Sequence, residues 1–188
     1  SAQTALWGTL MLLTRDLAPI LSFTAEEVFS HLPAGMRQDA ATVFALRFDP
    51  RADWTLPEEE RARWDTVLKV RAEVTRAVEP LRKSGAVGHA LDTAITLYCG
   101  EALAETLAGL DLREVFIASR VGLAPLSAAP AEAMAAAEVQ DLRIGVAKAP
   151  GAKCQRCWIY SEELGTLDGH PDICPRCSGV VRALDGAA

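Results

Sequence analysis

Apolar residues recur at Leu6, Leu10, Leu13 and Leu17, with Trp7 and Met11 widening the stripe, so the chain opens on a helix with a broad apolar face. Pro19 interrupts it. Thr24-Ala25-Glu26-Glu27 then reads as a capping box, with Thr24 as N-cap and Glu27 at N3, and Phe23 and Val28 stand where a hydrophobic staple needs them. Leu32-Pro33 and Gly35 end this second helix. The first helix is too apolar for one neighbour, which predicts a bundle continuing before residue 1. A small helical domain closed by a later helix is the alternative.

Thr42–Phe48 reads as extended or irregular, and Asp49 to Pro57 as linker. A long helix is predicted from Pro57 to about Arg82, with proline at its start, acids in its first turn and a kink or early end at Pro80. Its apolar face is Trp64, Val67, Leu68, Val74, Val78 and Leu81, and Gly85 and Gly88 follow it. Strands are predicted at 94–99, Val115–Ala118 and Leu142–Ala147, a short helix at Glu101–Gly109, and a loop of uncertain order over Ala124–Ala137. This order gives an α+β fold, mostly helical, in three parts: a helical-bundle segment over 1–50, a long helix with a small α+β unit over 57–147, and a cysteine-bearing module over 148–184.

Composition changes this picture little. Half of the 188 residues are hydrophobic and about a quarter charged, as in ordinary globular domains. No signal peptide precedes the first helix and no apolar run is long enough to span a bilayer, so no membrane is expected and the address reads as cytoplasm. Five cysteines fit a reducing compartment, with Cys99 read as a buried structural residue. The net charge of −6 argues against general nucleic-acid affinity, yet residues 143–184 carry six Lys/Arg against four acids.

The chemistry lies in four cysteines spaced Cys154-x2-Cys157-x16-Cys174-x2-Cys177. Two such knuckles supply four thiolates to one tetrahedral Zn²⁺, a closed donor set of the structural kind. A pair of disulfides is the alternative, and His170 could substitute as a ligand. No catalytic residues are identified: there is no phosphate-binding Gly-rich loop, Ser–His–acid set or HExxH, and Glu26-Glu27 is read as helix capping. Trp158 and Tyr160 follow the first knuckle beside Arg156. Trp158 could stack on an unstacked base while the guanidinium holds phosphate, or it could pack the small module against its neighbour.

Lys153-Cys154-Gln155-Arg156-Cys157-Trp158-Ile159-Tyr160 with His170-Pro171-Asp172-Ile173-Cys174-Pro175-Arg176-Cys177 resembles the C-terminal zinc finger of bacterial isoleucyl-tRNA synthetases. The run from Leu17 to Phe29 is similar to the anticodon-binding helical domain of these class I enzymes, and Val70–Val74 with Leu81–Gly88 to the stretch joining the two. The resemblance implies a parent, expected to be a monomer, that attaches isoleucine to its tRNA. ATP and Mg²⁺ would act in a catalytic domain outside this chain. It implies that the present segment holds the anticodon stem-loop of isoleucine tRNA and packs on the rest of the synthetase. The tRNA contacts it implies are Arg156 and Trp158 first, Lys153 and Arg176 next, and Arg71, Arg76 and Arg82 on the long helix last. Ala90-Leu91-Asp92 stands where the family usually has Ser-Leu-Glu. Two other readings stay open: the similar DNA-gripping finger of formamidopyrimidine-DNA glycosylases, and a zinc-stabilised protein-interaction module.

Overall fold

The fold was obtained as a computed structural model and is described for residues 2–37, 39–47 and 55–186. It divides into two units, one up to Thr55 and one from Leu56 onward. The linker read at 49–57 falls largely outside the described residues.

In the first unit, α1 (Ala2–Leu17) and α2 (Ser22–His31) enclose a small core of Met11, Ala18, Ala25, Phe29, Leu32 and Val43. The buried side of α1 is Met11 and Thr14, with Trp7 half-buried. The leucine stripe faces solvent instead, with Leu6 at 70% and Leu13 at 47% exposure. One neighbouring helix covers only one side of α1, so the stripe falls on the uncovered side. The capping box does not form. Residues 18–21 already turn helically, with Leu21 N–H donating to the Leu17 carbonyl, and α2 starts at Ser22. Thr24 therefore lies inside the helix and Phe23 is exposed. Glu26 has a different task from capping: its carboxylate accepts from Thr42 Oγ1 at 2.7 Å and Val43 N–H at 2.8 Å. Those two bonds pin a 3-10 turn (Val43–Ala45) whose Val43 plugs the core.

The second unit is built on α3 (Glu58–Lys83), which continues three residues past Pro80. Acids fill its first turn and Arg82 and Lys83 its last, both matching the helix dipole. It ends in a Schellman arrangement: Ala86 N–H reaches Leu81 O, Gly85 N–H reaches Arg82 O, and Gly85 takes the left-handed φ of +75° that other residues avoid. The buried face is Val67, Val70, Glu73, Val74, Ala77 and Val78, whereas Leu68 is exposed. Strand β1 (Thr93–Cys99) is central in a four-stranded sheet. It pairs in parallel with β2 (Arg120–Pro125) and antiparallel with β4 (Leu142–Lys148), whose far edge carries the two-residue β3 (Met134–Ala135). Alternate residues Thr93, Ile95, Leu97 and Cys99 are buried, the last three packing with Ile144 and Leu142 in the core that α3 covers. Burial pushes the Cys99 thiol pKa up, in keeping with its reading as a structural residue.

Helices α4 (Glu101–Leu107) and α5 (Leu112–Phe116) fill the crossover from β1 to β2. The β-branched residues of Val115–Ala118 predict a strand that does not form there. Asp111 instead caps a helical turn by accepting from Arg113 and Glu114 N–H, and Ile117 ends it at a φ of +55°. The strand starts only at Arg120. The expected loop over 124–137 contains β3 and is held in place from two sides. Arg143 donates to the Ala131 and Ala133 carbonyls, and Glu73 of α3 accepts from Ala137 N–H at 2.9 Å and Glu138 N–H at 2.8 Å. Among the described residues, no helix is long and apolar enough to cross a membrane.

Candidate metal centre

Two short elements and a helix start bring the cysteines together. A hairpin of β5 (Ala152–Lys153) and β6 (Tyr160–Ser161) closes the first knuckle, with Lys153 opposite Tyr160. Its turn is fixed by Cys154 N–H to Ile159 O and by Trp158 N–H to Cys154 O, both 2.9 Å. Gly151 enters the hairpin at a φ of +88°, where a Cβ would stand 2.3 Å from the Ser161 carbonyl oxygen. Only glycine fits there. The second knuckle is the start of α6 (Pro175–Asp185): Cys174 is its N-cap, Pro175 opens it, and Cys177 lies on its first turn.

The four Sγ atoms lie within 4.8 Å of one another, and Cys157 and Cys174 are 3.7 Å apart. Zinc–thiolate bonds of about 2.3 Å in a tetrahedron place the sulfurs about 3.8 Å apart, so the geometry fits Zn²⁺. A disulfide needs about 2.05 Å, and all four cysteines are free thiols. His170 is not in the group. At Cys154, burial opposes ionisation, but N–H groups of Cys157, Cys174 and Arg156 outweigh it and hold the pKa at about 6. Cys157 is pushed up to about 12 by burial and by the sulfurs around it. Such a set favours one thiolate readily and resists a full set of four until a cation compensates the charge. Ile159, Leu164 and Ile173 pack around the sulfurs.

The module is tied to the sheet by polar bonds. Tyr160 N–H donates to Ser119 Oγ at 2.7 Å, that hydroxyl donates to the Leu91 carbonyl, and Ala149 N–H reaches Asp92 O at 2.8 Å. Asp92 Oδ2 caps the preceding turn through Gly88 and His89 N–H.

Of the residues singled out for RNA contact, Lys153, Arg156, Trp158 and Arg176 are brought together on this module, all exposed. Arg176 lines a cleft of about 320 Å³ with Leu91, Arg113, Ile117 and Ile159. The α3 residues lie elsewhere. Arg71 is exposed, Arg82 pairs with Glu79 at 3.4 Å, and Arg76 is bound to Glu73 and to the Ala135 carbonyl. Trp158 is 59% exposed and has no place in the buried cluster around the sulfurs. Its backbone sits at a φ of +66°. A bulky residue there is an outlier, disfavoured by roughly 1–2 kcal/mol. The sequence assigns no role to Glu73 or Ser119, and marks Asp92 only as a departure from the family's usual Ser-Leu-Glu. The available signal for Glu73 was an acid within the apolar spacing of α3.

Comparison with known proteins points the same way. Residues 151–178 match a family described as a zinc finger found in FPG and IleRS. Over 97% of its length the chain is 58% identical to an isoleucine–tRNA ligase of Nitratidesulfovibrio vulgaris strain Miyazaki F, covering 20% of that protein. It is 46% identical to the isoleucine–tRNA ligase of Lawsonia intracellularis, over 98% of this chain and 20% of that one. To that of Desulforamulus reducens it is 38% identical, over 97% and 20%. The chain thus spans about a fifth of the length of the relatives it matches.

Proposed function

We propose that this chain is the C-terminal, tRNA-recognising portion of an isoleucine–tRNA ligase, and that it holds the anticodon stem-loop of isoleucine tRNA. In this reading one structural Zn²⁺, held by Cys154, Cys157, Cys174 and Cys177, supports the finger. Activation of isoleucine with ATP and Mg²⁺ belongs to the remainder of a cytoplasmic, monomeric enzyme on which this chain packs. The work of this part is positioning, since anchoring the stem-loop places the acceptor end at a distant active site.

The observation that carries the reading is Trp158. A fold-supporting tryptophan would be buried in relaxed backbone, and this one is exposed in strained backbone beside the exposed Arg156. An outlier of this kind, kept where glycine would serve the turn better, fits a residue retained for contact. Its indole offers a stacking face, while Arg156 and Arg176 offer phosphate contacts.

Two measurements test this. The zinc-loaded chain is expected to bind isoleucine tRNA with an affinity that falls as salt rises, and to prefer it over duplex DNA. Preference for the duplex would favour the DNA-glycosylase-like alternative, and no RNA binding at low salt would overturn the proposal. Trp158→Gly is expected to retain zinc and lose no thermal stability, because it relieves the left-handed strain. It should still weaken tRNA binding by about 1–3 kcal/mol, the value of one stacked base. Zinc loss in that variant would mean the side chain serves the fold.

A further inference from the structure

Lys153 stands between two groups that both want a cation. On one side is Asp92, a buried residue whose Oδ1 has no hydrogen-bond partner, with the Lys153 ammonium 3.9 Å away. On the other side is the face of Trp158, with the same ammonium 5.7 Å from the ring centroid. The backbone of Lys153 is fixed by its pairing with Tyr160 across the hairpin, and Asp92 is fixed by its cap on the 88–89 turn. The ammonium therefore bridges a rigid part of the sheet to an indole that nothing in the finger core holds.

We propose that Asp92 and Lys153 act together as a clamp that presets the indole of Trp158 for stacking, making Lys153 a positioning residue rather than a phosphate contact. The inference rests on the tRNA reading above and deepens it. An orphan carboxylate oxygen out of water is costly, and the ammonium is its only available compensation among the described ion pairs. Drawing that ammonium away to an RNA phosphate would leave the oxygen uncompensated again. Left where it is, the charge stays over the ring, where a cation–π contact restricts the rotamers of an otherwise exposed side chain. Ordering such a side chain at an interface otherwise costs rotamer entropy on binding.

A phosphate contact and a clamp leave different signatures in Lys153→Met and Asp92→Asn. Asparagine retains an oxygen for the turn cap, and the methionine leaves that cap untouched. The zinc-loaded chain would be labelled with 5-fluorotryptophan, the Trp158 line assigned by loss in Trp158→Phe, and binding to isoleucine tRNA titrated across salt concentrations. The clamp predicts that each variant moves the Trp158 fluorine line toward that of a freely rotating indole. It predicts weaker binding by roughly threefold to tenfold, the weight of one cation–π contact. The slope against log salt should stay unchanged, and the double variant should bind no worse than either single one, because both break one unit. A slope reduced by about one in Lys153→Met would identify a phosphate contact and overturn the clamp. So would tighter binding by Asp92→Asn, or an unmoved fluorine line in both variants. The fluorine readout needs no RNA. If the unaltered chain binds no tRNA, the tRNA reading fails while the line shift still reports whether Asp92 and Lys153 hold the indole.

Discussion

Removing the metal, by chelation or through Cys154→Ser, is expected to unfold residues 150–186 while the four-stranded sheet persists. The finger has almost no other core. Its buried residues are largely the sulfurs themselves, with Ile159, Leu164 and Ile173 packed around them. Structural zinc contributes an apparent 10–16 kcal/mol or so in finger peptides, far above what three partly buried aliphatic side chains supply. Cys154 is the most damaging single position because its sulfur is fully buried and also accepts from Cys174 N–H at 3.3 Å, joining both knuckles. Amide exchange after chelation would read the result directly. Loss of protection confined to the finger is expected, and retained protection there would sink the structural-zinc reading. Acidification should mimic chelation, because Cys157, pushed up to about 12 without metal, binds protons in competition with zinc.

The second large effect is expected at Glu73. This acid lies on the buried face of α3 at 4% exposure. One oxygen accepts from two backbone N–H groups of residues 137 and 138, and the other takes Arg76 Nε at 2.9 Å together with Arg76 Nη2. Glu73→Ala leaves both amides without their acceptor, at a cost of about 2–5 kcal/mol, while the half-exposed Arg76 keeps water and the Ala135 carbonyl. Glu73→Gln keeps one acceptor and should lose less. Burial tends to raise the Glu73 pKa, but the amides of Glu138 and Ala137 and the Arg76 guanidinium outweigh it, so the folded value lies below the unfolded one near 4.5. The stabilisation is therefore fully present above the unfolded value and is lost as pH falls through the folded one. Urea midpoints should separate Glu73→Gln from the unaltered chain at pH 7, with the gap narrowing toward pH 3. A gap constant over that range would show that the charge contributes nothing.

The role of Glu73 is not legible in the sequence. Its backbone partners lie 64 and 65 residues further along, on a segment with no periodicity to announce a structure. The loop expected at 124–137 is in part regular structure, since it holds the end of β2, a 3-10 turn at Leu126–Ala128 and β3. An acid on the face of α3 and Arg143 of β4, rather than any side chain within the segment, give it a fixed place. The strand expected at Val115–Ala118 failed for a nearer cause. β-propensity describes packing on a sheet surface, and the Asp111 cap settled a helical turn before Val115 or Ile117 could reach one. The capping box at Thr24 failed in the same way, because the turn at 18–21 was itself already helical.

What the sequence determined by itself is local: the period of α1 and α3, the alternation of β1, the glycine stop after α3, and above all the cysteine quartet. Two knuckles dictate their own geometry over a few residues, and the metal they suit follows from donor type and number. What only the tertiary structure decided is which side of each element meets protein and which meets water. The leucines of α1 and the indole of Trp158 look equally fit for a core in sequence, and both face solvent. Burial depends on a partner supplied from elsewhere in the chain, and no spacing within α1 or the first knuckle encodes that partner. For Trp158 the partner is a lysine ammonium shared with a buried aspartate, so the ring is held at the surface rather than packed beneath it.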